Sequence, residues 1–313
     1  MKIAFMFPGQ GAQTVGMGKD LYEHYEEVRK VYEEASKIAG KDIAKLTFES
    51  SLEELSKTEN AQLAIATMSI GILELLKKEN IVADIAVGLS LGEYPALMYG
   101  GYIRFEDGIN LLRHRGYFMG NLVPKEKYAM AAIIGLESSK IEEVCAKIRE
   151  EGVFVVPANY NYSAQTVISG EEEGIEKAIE MLKESGAKKA IKLQTSGPFH
   201  TSKLEEARKA YKKELEKVSF QEGNIKVIKN LDGTIYKASD DMQEILANHI
   251  VSPVRFDKAI KLMEEEGIDT FVEIGPGKAL SGFIKKEKKD ANVFNIDNIE
   301  NLTKVIEALK QLQ

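Results

Sequence analysis

Short runs of apolar and β-branched residues recur along this chain, and most are followed by a longer stretch with the 3.6-residue apolar spacing of an amphipathic helix. That alternation leaves few folds open. The strand candidates 3–7, 85–89, 225–231, 270–274 and 293–296 are nearly continuous in apolar or β-branched residues rather than alternating with polar ones. Strands of that kind are covered on both faces, as in the parallel sheet of an α/β protein. Helical periodicity marks 20–38, 61–79, 105–119, 202–217 and 257–266, the last closing near Gly267, a helix stop.

Between about 125 and 196 the rhythm changes. The segments 128–135, 154–159, 165–169 and 189–194 read as strands, and 138–151 and 174–185 as helices. Their order, β-α-β-β-α-β, is that of a ferredoxin-like unit. The expected architecture is therefore a larger α/β domain built from 1–124 and 197–313, with a small ferredoxin-like domain, 125–196, inserted into it.

Composition narrows the function classes. Of the 313 residues 44% are hydrophobic and 29% charged, enough to build a sizeable core. No apolar run approaches the roughly 20 residues that cross a bilayer, and Met1-Lys2-Ile3-Ala4-Phe5-Met6-Phe7-Pro8 is too short an apolar stretch for a signal peptide. A net charge of −7 argues against a nucleic-acid binder, and one cysteine, Cys145, excludes a disulfide framework or a cysteine metal cluster. No membrane partner, metal or bound cofactor is indicated. A cytoplasmic protein is expected; on oligomeric state the sequence is silent, and a monomer is the working expectation.

The chemistry concentrates in three places. Gly88-Leu89-Ser90-Leu91-Gly92 sits where a strand should hand over to a helix, the signature of a nucleophile elbow that projects a serine at the end of a sheet. Its glycines suit a turn too sharp to accommodate neighbouring Cβ atoms. A serine needs a base, most often histidine, and the chain has four. His24 lies on a charged helical face, His114 between Arg113 and Arg115, and His249 at a helix end. His200 closes Gly197-Pro198-Phe199-His200 at the expected domain junction, where clefts form, and is the favoured base. The third place is the loop Phe7-Pro8-Gly9-Gln10-Gly11-Ala12-Gln13, whose glycines let backbone amides approach a bound group. It lacks the Gly-Lys-Ser/Thr ending of a nucleotide-binding P-loop.

Together with Glu93-Tyr94 after the elbow, Arg115-Gly116 and Glu273-x-Gly275-Pro276-Gly277, these motifs occur in the order found in the malonyl-CoA:acyl-carrier-protein transacylases of bacterial type II fatty-acid synthesis, and the chain resembles that family over nearly its whole length. The resemblance implies an α/β-hydrolase-like large domain with a ferredoxin-like insertion. It also implies roles. Ser90 would be acylated, with His200 as base and acid, the amides of Gln10 and Leu91 as oxyanion hole and Arg115 as ligand of the malonyl carboxylate. Gln62 and Asn161 would line the pocket. The histidine would be oriented by the main-chain carbonyl of His249, where the family more usually has glutamine or asparagine. Leu89 likewise stands where the family most often carries histidine. Phe199 beside the base matches the malonyl-selective pattern, leaving no room for an α-methyl branch.

The expected reaction is transfer of malonyl from malonyl-CoA to the phosphopantetheine thiol of acyl carrier protein, in ping-pong order through a malonyl-serine ester. Lys188, Lys189 and Lys192, or Lys285 and Lys286, would offer a basic patch to an acidic carrier. Alternative readings are a trans-acting polyketide acyltransferase and a serine thioesterase or esterase. A non-catalytic carrier-binding protein is a third.

Overall fold

A computed structural model describes residues 1–195 and 197–312; Ser196, the last residue of the expected insertion, and Gln313 lie outside the described residues. The described residues form ten strands: β1 (Ile3–Phe7), β2 (Ile85–Gly88), β3 (Tyr128–Ile134), β4 (Val155–Tyr162), β5 (Gln165–Glu171), β6 (Lys189–Lys192), β7 (Lys226–Val227), β8 (Val254–Arg255), β9 (Thr270–Ile274) and β10 (Asn292–Ile296). They form two sheets of five, ordered β10-β9-β1-β2-β7 and β6-β3-β5-β4-β8.

The first sheet is parallel throughout. Its central strand β1 is buried along its whole length, and successive side chains serve opposite faces. Ile3, Phe5 and Phe7 join the core packed by the helix Thr58–Lys78, while Ala4 and Met6 join a second core with Phe256, Ile260 and Leu280. This is why the strand reads as a continuous apolar run: neither face meets water.

The second sheet is antiparallel from β6 through β3 and β5 to β4, with the helices Ser138–Glu150 and Glu172–Glu184 packed on one side over Ile133, Val155 and Ile168. Connectivity and order are those of the ferredoxin-like pattern. An addition came from outside the segment: β8 pairs parallel with β4, Asn159 opposite Val254 and Tyr160 opposite Arg255. Arg255 also lies over the Tyr160 ring at 4.3 Å, so the last third of the chain is stitched to the small sheet.

Two elements differ from their sequence expectation. The helix expected over 20–38 is broken at Tyr25, which is extended between Lys19–His24 and Glu26–Ala39. No glycine or proline marks the break. It accompanies the packing of Tyr22 against Tyr32 and Phe48, with ring centroids 5.3 and 5.1 Å apart. The strand expected over 225–231 pairs only at Lys226–Val227. Beyond it the chain folds back, Ile228 bridging Ile235, and the Asn230 side chain is drawn toward the tip of β2.

Candidate active site

The elbow is built as its glycines demand. β2 ends at Gly88, and after Leu89 the chain enters a tight turn, Ser90–Gly92, that runs into the helix Glu93–Tyr99. A Cβ on Gly88 would stand 1.8 Å from the carbonyl carbon of Gly92, and one on Gly92 would stand 2.1 Å from the Phe7 carbonyl oxygen. Both contacts are with backbone that cannot move aside. Ser90 itself adopts φ 55°. Holding a non-glycine residue there costs on the order of 1–3 kcal/mol, and such strain persists only where the surroundings over-determine it. Asn230 is part of those surroundings: its Oδ1 accepts from the Ser90 amide at 2.7 Å and its Nδ2 donates to the Gly88 carbonyl at 2.7 Å.

The base arrives from 110 residues further on. His200 is 4% exposed and also has a left-handed backbone, φ 59°, so it shares this conformation with Ser90. Its Nε2 lies 2.8 Å from Ser90 Oγ and its Nδ1 2.9 Å from the main-chain oxygen of His249. A carbonyl can only accept, so Nδ1 carries the proton and Nε2 presents a lone pair to the serine hydroxyl. That carbonyl is free because His249 ends the helix Met242–His249, where the last oxygens lack intrahelical partners. Burial, then the neighbouring His249 and the Arg115 charge, hold the His200 pKa well below its usual 6.5. The imidazole is therefore neutral, and competent as a base, at neutral pH.

Arg115 comes from the helix Phe105–Asn121 and is 1% exposed. It donates to Gln62 Oε1 at 2.8 Å and to Ser90 Oγ at 3.1 Å, and its carbon centre stands 5.5 Å from the Tyr94 ring. Among the described residues no carboxylate pairs with it, and its Nε has no partner. A buried guanidinium without a counter-charge is costly, which makes the site a receptor for an anion. Gly116 is required beside it, since a Cβ there would come 2.7 Å from the Glu59 backbone.

Gln10, Gln62, Ser90, Asn161, Phe199 and His200 line one cavity of about 710 Å³, a size suited to a small ligand. Leu89 and Met130 add apolar wall. Asn161 donates to Gln165 at 2.8 Å, while its Oδ1 has no partner among the described residues. Leu91 is not among the lining side chains; it is 1% exposed beneath the elbow, and its expected part involves only its amide. Arg115 is not itself a lining residue and meets the cavity through Gln62 and Ser90. A second groove of about 1060 Å³ runs along the helix Glu205–Leu215 beside Leu122 and Val123, but it contains neither the candidate nucleophile nor the base.

Residues to which the sequence assigns no role stand directly behind the dyad. Besides Asn230 there is Glu93, 1% exposed, whose Oε1 accepts from the Asn230 amide and the Tyr236 hydroxyl, both at 2.9 Å. Its Oε2 lies 3.0 Å from Nδ1 of His249. That contact is close but poorly aligned, leaving Oε2 without a well-formed hydrogen bond. The His249 ring stacks on His200, centroids 4.8 Å apart. Glu93 could have been singled out from its place three residues after the serine; Asn230 carried no signal.

Residues 4–306 match the acyl transferase domain family. A Bacillus subtilis protein named malonyl CoA-acyl carrier protein transacylase is 41% identical over 310 residues, covering 99% of this chain and 98% of the relative. The crystal structure of a malonyl CoA-acyl carrier protein transacylase from Clostridium perfringens, 41% identical, superposes with a TM-score of 0.95 over 100% of this chain and 98% of that one. A solved complex of a type II PKS acyl-carrier protein with its malonyl-transacylase, 32% identical, covers 98% of this chain and 100% of that one with a TM-score of 0.94.

Proposed function

The chain belongs to the acyl transferase family, alongside relatives named malonyl CoA-acyl carrier protein transacylase, and from that premise we propose how this site moves a malonyl group from coenzyme A to the thiol of an acyl carrier protein in fatty-acid biosynthesis. Ser90 is the nucleophile. As its Oγ bonds to the thioester carbonyl carbon, its proton passes to Nε2 of His200. The imidazolium is favoured by the His249 carbonyl at Nδ1 and by the negative end of the helix Met242–His249. The tetrahedral oxyanion takes hydrogen bonds from the amides of Gln10 and Leu91, each worth on the order of 3 kcal/mol. Collapse breaks the carbon–sulfur bond, and Nε2 returns the proton to the departing thiolate, leaving malonyl-Ser90. The carrier thiol then attacks that ester by the same steps in reverse, with His200 again as base.

The observation that carries the reading is Arg115: buried, without a carboxylate partner among the described residues, and 3.1 Å from the nucleophile. A planar guanidinium that never loses its charge suits the free carboxylate of a malonyl group. Gln62 holds Arg115 in place, and Asn161 offers the pocket an oxygen without a partner among the described residues. Phe199 narrows the pocket at the base and disfavours a branched acyl chain. Thioester-to-ester exchange needs only a base and an oxyanion site, so no cofactor enters the scheme.

In this reading 125–196 is an inserted unit whose sheet supplies one wall of the cavity through Met130, Asn161 and Val167, while 1–124 and 197–313 supply the dyad. The carrier docks on a basic patch; of the candidate lysines, Lys192 is engaged with Glu172 at 2.6 Å, which favours the Lys285–Lys286 pair. Among the described residues no helix is long and apolar enough to cross a membrane, in keeping with a cytoplasmic enzyme working beside its carrier. The test is intact-mass analysis of the pure protein with malonyl-CoA. A malonyl adduct lost in Ser90→Ala and discharged by added carrier protein is the expected result; rapid release of free malonate without an adduct would make it a hydrolase instead.

A further inference from the structure

One buried carboxylate touches both halves of the dyad without touching either member. From Glu93 Oε1 the path runs to the Asn230 amide at 2.9 Å, and from the Asn230 side chain to the Ser90 amide and the Gly88 carbonyl, each at 2.7 Å. From Oε2 a close but poorly aligned contact reaches the His249 imidazole at 3.0 Å, and from the His249 carbonyl a hydrogen bond reaches Nδ1 of His200 at 2.9 Å. We infer that Glu93 is a positioning residue that sets the register between nucleophile and base, one arm holding the strained serine backbone and the other the residue that orients the imidazole.

Three observations carry this. Glu93 is 1% exposed, and a carboxylate held that deep is retained only where its contacts are used. Ser90 and His200 both hold left-handed backbones, a conformation that relaxes unless neighbours oppose it; Asn230 opposes it at the serine. Glu93, just after the elbow, and His249, at the helix end, lie 156 positions apart in the chain (249 − 93), yet the carboxylate reaches the imidazole. A displacement of about 1 Å between reacting groups can cost about 100-fold in rate, so a tie of this kind acts on turnover more than on substrate affinity.

The inference rests on the proposed acyl transfer, but its test reads Ser90 reactivity separately. Rates of malonyl transfer, and of Ser90 sulfonylation by phenylmethanesulfonyl fluoride, are measured for Glu93→Gln, Glu93→Ala and Asn230→Ala. Glu93→Gln, which keeps an oxygen toward Asn230 but no charge toward His249, is expected to lower kcat about 10-fold and Glu93→Ala about 100-fold. KM for malonyl-CoA stays within about twofold, and sulfonylation slows in parallel. In the Asn230→Ala background the further loss from Glu93→Ala shrinks, because one of the two arms it removes is already cut, whereas the loss from Glu93→Gln, which disturbs the other arm, persists. Unchanged sulfonylation and kcat in both Glu93 variants would overturn the inference, as would losses of Glu93→Ala and Asn230→Ala that multiply fully when combined. Should Glu93→Ala not fold, the kcat and sulfonylation rates of the isosteric Glu93→Gln still decide. If the unsubstituted protein is sulfonylated at Ser90 yet transfers no malonyl group, it is the proposed reaction that fails, not the tie.

Discussion

The nucleophile and the base share an unusual backbone conformation, yet they reach it by different means. Ser90 is held by its own neighbours: Gly88 and Gly92 pack backbone to backbone against each other and against the end of β1. His200 follows a loop whose glycine makes room for a side chain, since a Cβ on Gly197 would meet the Phe199 ring at 2.6 Å. At Ser90 rigid backbone crowding joins a hydrogen bond from the distant Asn230, whereas at His200 the nearby crowding is only a side chain and the ring is oriented by the His249 carbonyl. The elbow should therefore be brittle and the base loop forgiving.

The comparison is tested first where the two sites should behave alike. Ser90→Ala and His200→Ala should each reduce malonyl transfer by at least about 10³-fold, and the double variant should be scarcely worse, because nucleophile and base act as a unit. Steady-state kinetics with malonyl-CoA check this; multiplicative losses would mean separate roles. The two sites should then part company in stability. Gly88→Ala should lower the free energy of unfolding by about 3 kcal/mol or more, against about 1 kcal/mol for Gly197→Ala, where an aromatic ring can turn aside. Urea unfolding distinguishes these.

Arg115→Ala removes the charge that faces both. Malonyl transfer should fall about 10- to 100-fold, the worth of a charge-assisted hydrogen bond of about 1.5–3 kcal/mol, while acetyl transfer falls less. Equal losses for the two acyl groups would make the arginine a scaffold.

The pH dependence probes the base side alone. The folded pKa of His200 lies well below 6.5, with burial as the leading cause, so the unfolded chain takes up this proton first as pH drops. Its contribution to stability is thus full above about pH 6.5 and declines as pH falls below that value. The difference in unfolding free energy between the unsubstituted protein and His200→Ala should follow the same course, and the acid limb of kcat/KM should lie below pH 6.5. Phe199→Ala leaves the dyad in place and should relax discrimination against methylmalonyl-CoA by about 1–3 kcal/mol, read as a ratio of kcat/KM values.

Legibility followed the same division. The parallel sheet was visible because strands buried on both faces leave continuous apolar runs, as in β1 and β9. The elbow was visible because its steric requirement is met by glycines two residues from the serine. Asn230 was not: it sits where a strand seemed to continue, and its value lies in a hydrogen bond across 140 positions. β8 was hidden for a similar reason, being two residues long and paired with a strand far upstream. The break at Tyr25 answers to aromatic packing that no helical spacing encodes.

Along the chain alone, then, the residues determine which segments become strands, where the serine must turn sharply, and which histidine lies on a loop at a junction, because each of these depends on sterics and periodicity over a few neighbouring positions. The tertiary structure decided that Arg115 would be buried without a counter-charge among the described residues, that a helix would end so as to offer its last carbonyl to His200, and that Glu93 would lie between the two halves of the site. Those outcomes depend on distances between segments far apart in sequence, and only the packed fold sets them.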